Sequence, residues 1–150
     1  MDLTEFFSID AISLDLEGNT KDEILAELIV LLRLDDQDNA TLFKMLNRRE
    51  NLGSTGIGRG IAIPHCRCAV VDTLRVAFGR KLEGIDFSAI DNKPVHYVFL
   101  IVAPPIEISN QYLPVLGKIA QFAKEADVPG RLEAIATPAE FMALLKEKKL

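Results

Sequence analysis

The run Val95-His96-Tyr97-Val98-Phe99-Leu100-Ile101-Val102 is apolar at every position but one. A strand with no polar face must be covered on both sides, which is the condition of a central strand in a sheet sandwiched between helices. Pro104-Pro105 ends the run. A connection from Gly84 to Pro94 separates it from a second strand near Leu74 to Arg80, and Ile61 to Ile63 forms a shorter apolar run before that.

The helices to cover such a sheet are legible from their caps. Thr20 with Glu23 makes a capping box, and Ile24, Leu25, Leu28, Ile29 and Leu32 follow at helical spacing, which predicts an amphipathic helix over 20–33. A second helix runs from about Asp38, with Leu42, Met45 and Leu46 on one face, stops before Gly53 and carries Arg49 in its last turn. The steps of Leu113, Leu116, Ala120 and Ala123 predict a third over 110–124, with Pro114 tolerated near its first turn. A short helix follows at 131–136. The last opens with Thr137 as cap, Pro138 at its first position and Glu140 closing a capping box. Ahead of all of these, Ile12, Leu14 and Leu16 alternate with Ser13, Asp15 and Glu17, the pattern of a half-buried strand from Ala11 to Glu17. The expected fold is three-layer α/β/α around a mixed central sheet, in the order β-α-α-β-β-β-α-α-α.

A chain of 150 residues is one domain by length and buries a core without disulfides or structural metals. Its net charge of −5 argues against a general nucleic-acid binder, since phosphate backbones reward basic surfaces. No apolar stretch is long enough to insert in a bilayer. The start Met1-Asp2-Leu3-Thr4-Glu5 lacks the features of a secretory signal. The two cysteines, Cys66 and Cys68, are too close in sequence for an ordinary structural disulfide and suit a reducing compartment. The expected location is the cytoplasm.

Chemistry concentrates between Arg49 and His65. Four of the nine glycines, Gly53, Gly56, Gly58 and Gly60, fall within eight residues. Glycine lets backbone N–H groups crowd around an anion, Ser54 and Thr55 add hydroxyls, and Arg49 and Arg59 add charge. The expected phosphate loop is therefore Ser54, Thr55, Gly56, Gly58 and Gly60. Neither familiar nucleotide pattern fits: Gly58 is followed by Arg59-Gly60 rather than Lys and a hydroxyl residue, and the glycine spacing misses the dinucleotide fingerprint at Ile61 or Ile63. The loop ends in Pro64-His65, and neutral imidazole is nucleophilic near pH 7 and forms a covalent phosphoryl intermediate. The residues alone leave two readings open, a phosphoryl site on His65 or a glycine-rich turn with a histidine satisfied by a neighbouring carbonyl.

The stretch from Arg49 to His65 resembles the active-site signature of the fructose/mannitol family of enzyme IIA proteins of the phosphoenolpyruvate-dependent phosphotransferase system, in particular its nitrogen-related regulatory branch. Thr20-Lys21-Asp22-Glu23, Gly84-Ile85-Asp86-Phe87, Ala89-Ile90-Asp91, Pro94-Val95 and the stretch from Val98 through Pro104 are similar to that family in order and spacing. The resemblance implies one enzyme IIA type-2 domain over 1–150. It implies that His65 accepts a phosphoryl group from a histidine-containing phosphocarrier protein and that Arg49 helps hold it. The acceptor is then a IIB domain in sugar uptake, or the phosphorylation state is read by a regulated transporter or kinase. The absence of a fused membrane or IIB segment points to the regulatory role. Where the family has a second active-site histidine, this chain has Tyr112. Its hydroxyl can hydrogen-bond a phosphoryl oxygen but cannot shuttle a proton near neutral pH.

No cofactor is implied. A metal site is not expected, because His65 and Cys66 are adjacent and no other cysteine completes a thiolate-rich set beyond Cys68. His96 reads as a strand-end histidine without catalytic duty. A different class of function stands beside phosphoryl transfer: a binding module that docks on transporters or kinases independently of phosphorylation, a reading that rests on Tyr112.

Overall fold

The computed structural model describes residues 2–150. Two 3-10 turns, Leu3–Glu5 and Ile9–Ala11, lead into β1 (Ile12–Ser13), α1 (Lys21–Val30) and α2 (Asp36–Leu52). Five strands follow, β2 (Gly56–Gly58), β3 (Ile61–Ala62), β4 (His65–Arg67), β5 (Arg75–Ile85) and β6 (Val95–Ala103). The chain closes with α3 (Tyr112–Ala123), α4 (Val128–Ala134) and α5 (Pro138–Glu147).

The sheet runs β1-β5-β6-β3-β2, with β4 also paired to β6. Strand β6 is its centre, antiparallel to β5, with Phe78 opposite Phe99, and parallel to β3 and β4, with Ile61 opposite Tyr97 and His65 opposite Ile101. The unbroken apolar character of β6 follows from its two faces. Tyr97, Phe99, Ile101 and Ala103 join a core with residues of α3, α4 and α5, while Val98, Leu100 and Val102 join a separate core with α1 and α2. Alternate residues of a strand point to opposite faces, so the sheet is a mixed layer between two helical ones.

The expected α/β layering is present, but five strands rather than three lie between α2 and α3, because the segment from Gly56 to Arg67 holds three short strands where the sequence shows one apolar run. Pro64 divides β3 from β4 because it has no N–H to give to a ladder. Its carbonyl still accepts from the Ile101 N–H at 3.0 Å, so both strands follow one edge of β6.

Other boundaries move for local reasons. Strand β1 is only two residues long: past it, Leu14 packs in the α3–α5 core and Leu16 in the α1–α2 core, as the chain wraps the sheet edge. The buried Arg80 guanidinium donates to the Leu14 carbonyl and to the carbonyls of Leu132, Glu133 and Ile135, tying that edge to the end of α4. Helix α1 stops at Val30, three residues before Arg33 turns left-handed at φ 58°. Helix α2 begins earlier than the apolar spacing shows because Asp35 caps the Asp38 N–H at 2.7 Å. Helix α4 begins at Val128, with Pro129 in its first turn.

Candidate active site

The last turn of α2 sets two neighbouring residues to different tasks. Arg49 faces outward and donates from Nη1 to the Gly53 carbonyl at 2.8 Å. Glu50 faces inward, 7% exposed, and its carboxylate accepts from the Thr55 N–H at 3.1 Å and from the Thr55 hydroxyl. Lys21, at the start of α1, completes the arrangement with a 2.7 Å ion pair to Glu50, its ammonium lying over the Phe87 ring. This buried group fastens the loop that leads to His65 onto the helix that carries Arg49.

His65 opens β4, half-buried, with Nδ1 2.6 Å from the Ile63 carbonyl oxygen. A carbonyl can only accept, so Nδ1 carries a proton, and in the neutral ring the lone pair is on Nε2. Along β4, His65 and Arg67 share one face while Cys66 points to the other and is buried against the α1–α2 core. Burial, with Cys68 nearby, pushes the Cys66 thiol up to about 12, so it is protonated and inert near neutral pH.

Tyr112, the first residue of α3, stands beside these two. Its ring centroid is 6.4 Å from that of His65, and the Arg67 guanidinium lies 4.6 Å over its face. Burial pushes the Tyr112 phenol up to about 12, Cys66 adds to the rise, and Arg67 and Arg49 pull it back; the hydroxyl is a neutral donor at physiological pH. Glu107 holds the start of α3, accepting the Tyr112 N–H at 3.0 Å. Burial opposes its ionisation, but the Tyr112 and Gln111 N–H groups, the Ser109 hydroxyl and Arg67 outweigh that and keep its carboxyl below the usual range.

Arg48, Arg49, Leu52, His65, Arg67 and Tyr112 line a cleft of about 400 Å3. Among the described residues, none of the three arginines has a carboxylate within ion-pair distance. A histidine nitrogen beside guanidinium groups that have no carboxylate in ion-pair contact suits a tetrahedral anion. Among the described residues no group of His, Cys, Asp and Glu is placed to hold a metal ion. None of the described helices is long and apolar enough to cross a membrane.

Arg49, His65 and Tyr112 of the expected set therefore meet in one cleft, and the glycine loop is occupied elsewhere. The Ser54 hydroxyl donates to the Phe87 carbonyl at 2.6 Å and accepts the Gly56 N–H at 3.0 Å. Thr55 is bound to Glu50 as above. Gly56 lies so close to Ala89 that a Cβ would fall 2.7 Å from the Ala89 Cβ. Gly58 and Gly60 take φ of 95° and 78° at the β2–β3 turn, where Asp91 accepts the Arg59 N–H at 3.2 Å, and Gly60 lines a separate cavity with His96. Arg59 donates to the Lys124 carbonyl, away from His65.

Sequence reasoning passed over Glu50, Lys21 and Arg67. Arg67 carried a signal, since a two-residue step along a strand puts it on the face of His65. Glu50 carried none, because in the run Arg48-Arg49-Glu50-Asn51 an acidic residue reads as part of a solvated surface.

The site is thus one histidine presented from a strand of an α/β domain into an arginine-lined cleft. The chain belongs to the family described as phosphoenolpyruvate-dependent sugar phosphotransferase system, EIIA 2, which matches residues 5–148. A nitrogen regulatory protein of Bradyrhizobium diazoefficiens is 33% identical over 135 residues, covering 89% of this chain and 88% of that protein. A fructose-specific EIIABC component of Bacillus subtilis is 34% identical over 136 residues, 88% of this chain but 21% of that longer protein. Among solved structures, nitrogen regulatory protein IIA-Ntr of Neisseria meningitidis superimposes with a TM-score of 0.86 at 34% identity, covering 95% of this chain and 98% of that one.

Proposed function

We propose that this protein is a phosphocarrier that takes a phosphoryl group onto Nε2 of His65 from a histidine-containing phosphocarrier protein in the cytoplasm, and that it serves nitrogen-related regulation. The carrying observation is the 2.6 Å Nδ1 contact to the Ile63 carbonyl, which selects the tautomer with a free Nε2. In the transfer, the Nε2 lone pair forms the new N–P bond while the bond from phosphorus to the donor imidazole breaks and its electron pair stays on the donor nitrogen. The Nδ1 proton is retained, and the Ile63 carbonyl stabilises the positive charge that phosphorylation brings to the ring.

Arg49, fixed by the Gly53 carbonyl, offers its remaining N–H groups to the phosphoryl oxygens, and the neutral Tyr112 hydroxyl adds a donor. The match over most of both chains with two nitrogen regulatory proteins supports the regulatory role, in which a doubly charged group added to an exposed cleft alters docking on a transporter or kinase. The sugar-uptake role, with a IIB domain as acceptor, is supported by the fructose-specific relative.

The test is the intact mass after incubation with phosphoenolpyruvate and the two upstream general proteins of the system. Wild type gains one phosphoryl group, lost again in mild acid, and His65→Ala gains none. A folded wild type that gains nothing from an active upstream system refutes the proposal, as does an unchanged gain in His65→Ala.

A further inference from the structure

Arg67 enters the cleft from a different direction than Arg49. It rises from β4 on the same face as His65, two residues along, whereas Arg49 comes from the end of α2. Its guanidinium is held twice, by a 3.2 Å hydrogen bond from Nη1 to the Pro104 carbonyl and by a cation–π contact with Cζ 4.6 Å from the Tyr112 ring centroid. The neighbouring Glu107 carboxylate is engaged at the start of α3 and makes no ion pair with it. Arg67 is thus a positioned cation with donors left over, next to the nucleophile. A phosphoryl group on His65 would bring three acceptor oxygens and nearly two negative charges into a cleft where Arg49 neutralises one.

We infer that Arg67 is a second phosphoryl-binding residue and that Tyr112 acts as its positioning residue, holding the guanidinium in the cleft that Arg49 and His65 share. This deepens the phosphocarrier reading and rests on it. A planar guanidinium on an aromatic face loses little freedom when it binds, and its charge does not titrate near neutral pH, unlike that of an imidazole.

The experiment equilibrates the protein with phosphorylated histidine-containing carrier and reads the phosphorylated fraction of each by intact mass. The equilibrium constant between two separate phosphoproteins does not depend on how they dock, so it reports the free energy of the phosphorylated cleft alone. Loss of a charge-assisted hydrogen bond in Arg67→Gln is expected to lower that constant about tenfold. Phosphorus NMR of the same samples should show the phosphoryl ionisation midpoint rising, since a removed cation no longer favours the dianion. Arg67→Lys, which keeps the charge without the planar guanidinium, should fall between wild type and Arg67→Gln in both readings. In a Tyr112→Leu background, Arg67→Gln should have a smaller effect than in wild type.

An equilibrium constant within twofold of wild type and an unmoved midpoint in Arg67→Gln overturn the inference while leaving His65 as acceptor. A lowered constant with an unmoved midpoint also overturns it, because it shows a structural effect. If Arg67→Gln does not fold, the Arg67→Lys and Tyr112→Leu readings decide in the same way. Wild type that takes no phosphoryl group removes the proposed function and this inference together.

Discussion

Glu50→Ala tests the claim that a buried ion pair, rather than the glycines, fixes the loop before His65. The side chain of Glu50 is 3% exposed and that of its partner Lys21 is 23% exposed, so the substitution strands an ammonium that is mostly out of water. It also removes the acceptor for the N–H and hydroxyl of Thr55, a residue 4% exposed. Breaking a buried pair by deleting one partner costs about 3–5 kcal/mol, and an orphaned buried donor about 1–3 kcal/mol. These overlap, because Lys21 keeps the Phe87 carbonyl at 3.4 Å and the Phe87 ring. A total of about 4 kcal/mol is expected, a large share of the roughly 5–15 kcal/mol that holds a domain of this size together. Urea denaturation of wild type and Glu50→Ala gives the difference directly. The double variant Lys21→Met/Glu50→Ala should recover part of it, because no unpaired charge remains. A loss below about 1 kcal/mol, or a double variant less stable by the sum of the single ones, refutes the reasoning.

Phe141 is fully buried, stacked on Phe78 at 4.3 Å and edge-on to Phe7 at 5.3 Å, so Phe141→Ala should cost about 3–5 kcal/mol in the same assay. Gly79→Ala should destabilise by about 1–3 kcal/mol, because its Cβ would fall 2.6 Å from Leu16 Cδ1 and 2.8 Å from Leu28 Cδ2; a neutral result would show that this part of the core gives way freely. Stability should fall as pH rises through the alkaline range. Cys66 moves from an ordinary 9.0 to about 12 and Tyr112 from 10.0 to about 12, so between those values the unfolded chain releases protons that the folded chain keeps. Urea unfolding at steps between pH 8 and 11 should show a shallower decline in Cys66→Ala and Tyr112→Phe than in wild type; equal slopes would contradict the burial of these groups.

The elements that local chemistry specifies were legible in the sequence. Thr20 and Thr137 cap their helices through the Glu23 and Glu140 N–H groups at 3.2 Å, as the capping boxes imply. The apolar run of β6 is the central strand, since a strand without a polar face has nowhere else to lie. The positions of His65 after Pro64 and of Arg49 in the last helical turn before Gly53 were also visible.

The tertiary structure decided what depends on which groups meet. The glycines suggested an anion cradle, but a sequence does not show who uses a backbone N–H, and here Glu50, Ser54 and Asp91 take those of Thr55, Gly56 and Arg59. Glu50 is buried against Lys21, 29 positions earlier in the chain, a pairing that no local pattern announces. The free nitrogen of His65 is set by a carbonyl two residues back, through a bend that Pro64 permits but does not specify. The sequence by itself determined the strand, the helices and the place of His65, because each follows from neighbours along the chain. Which charges surround that histidine was settled only when α2, β4 and α3 converged, because electrostatics depends on distance in space rather than along the sequence.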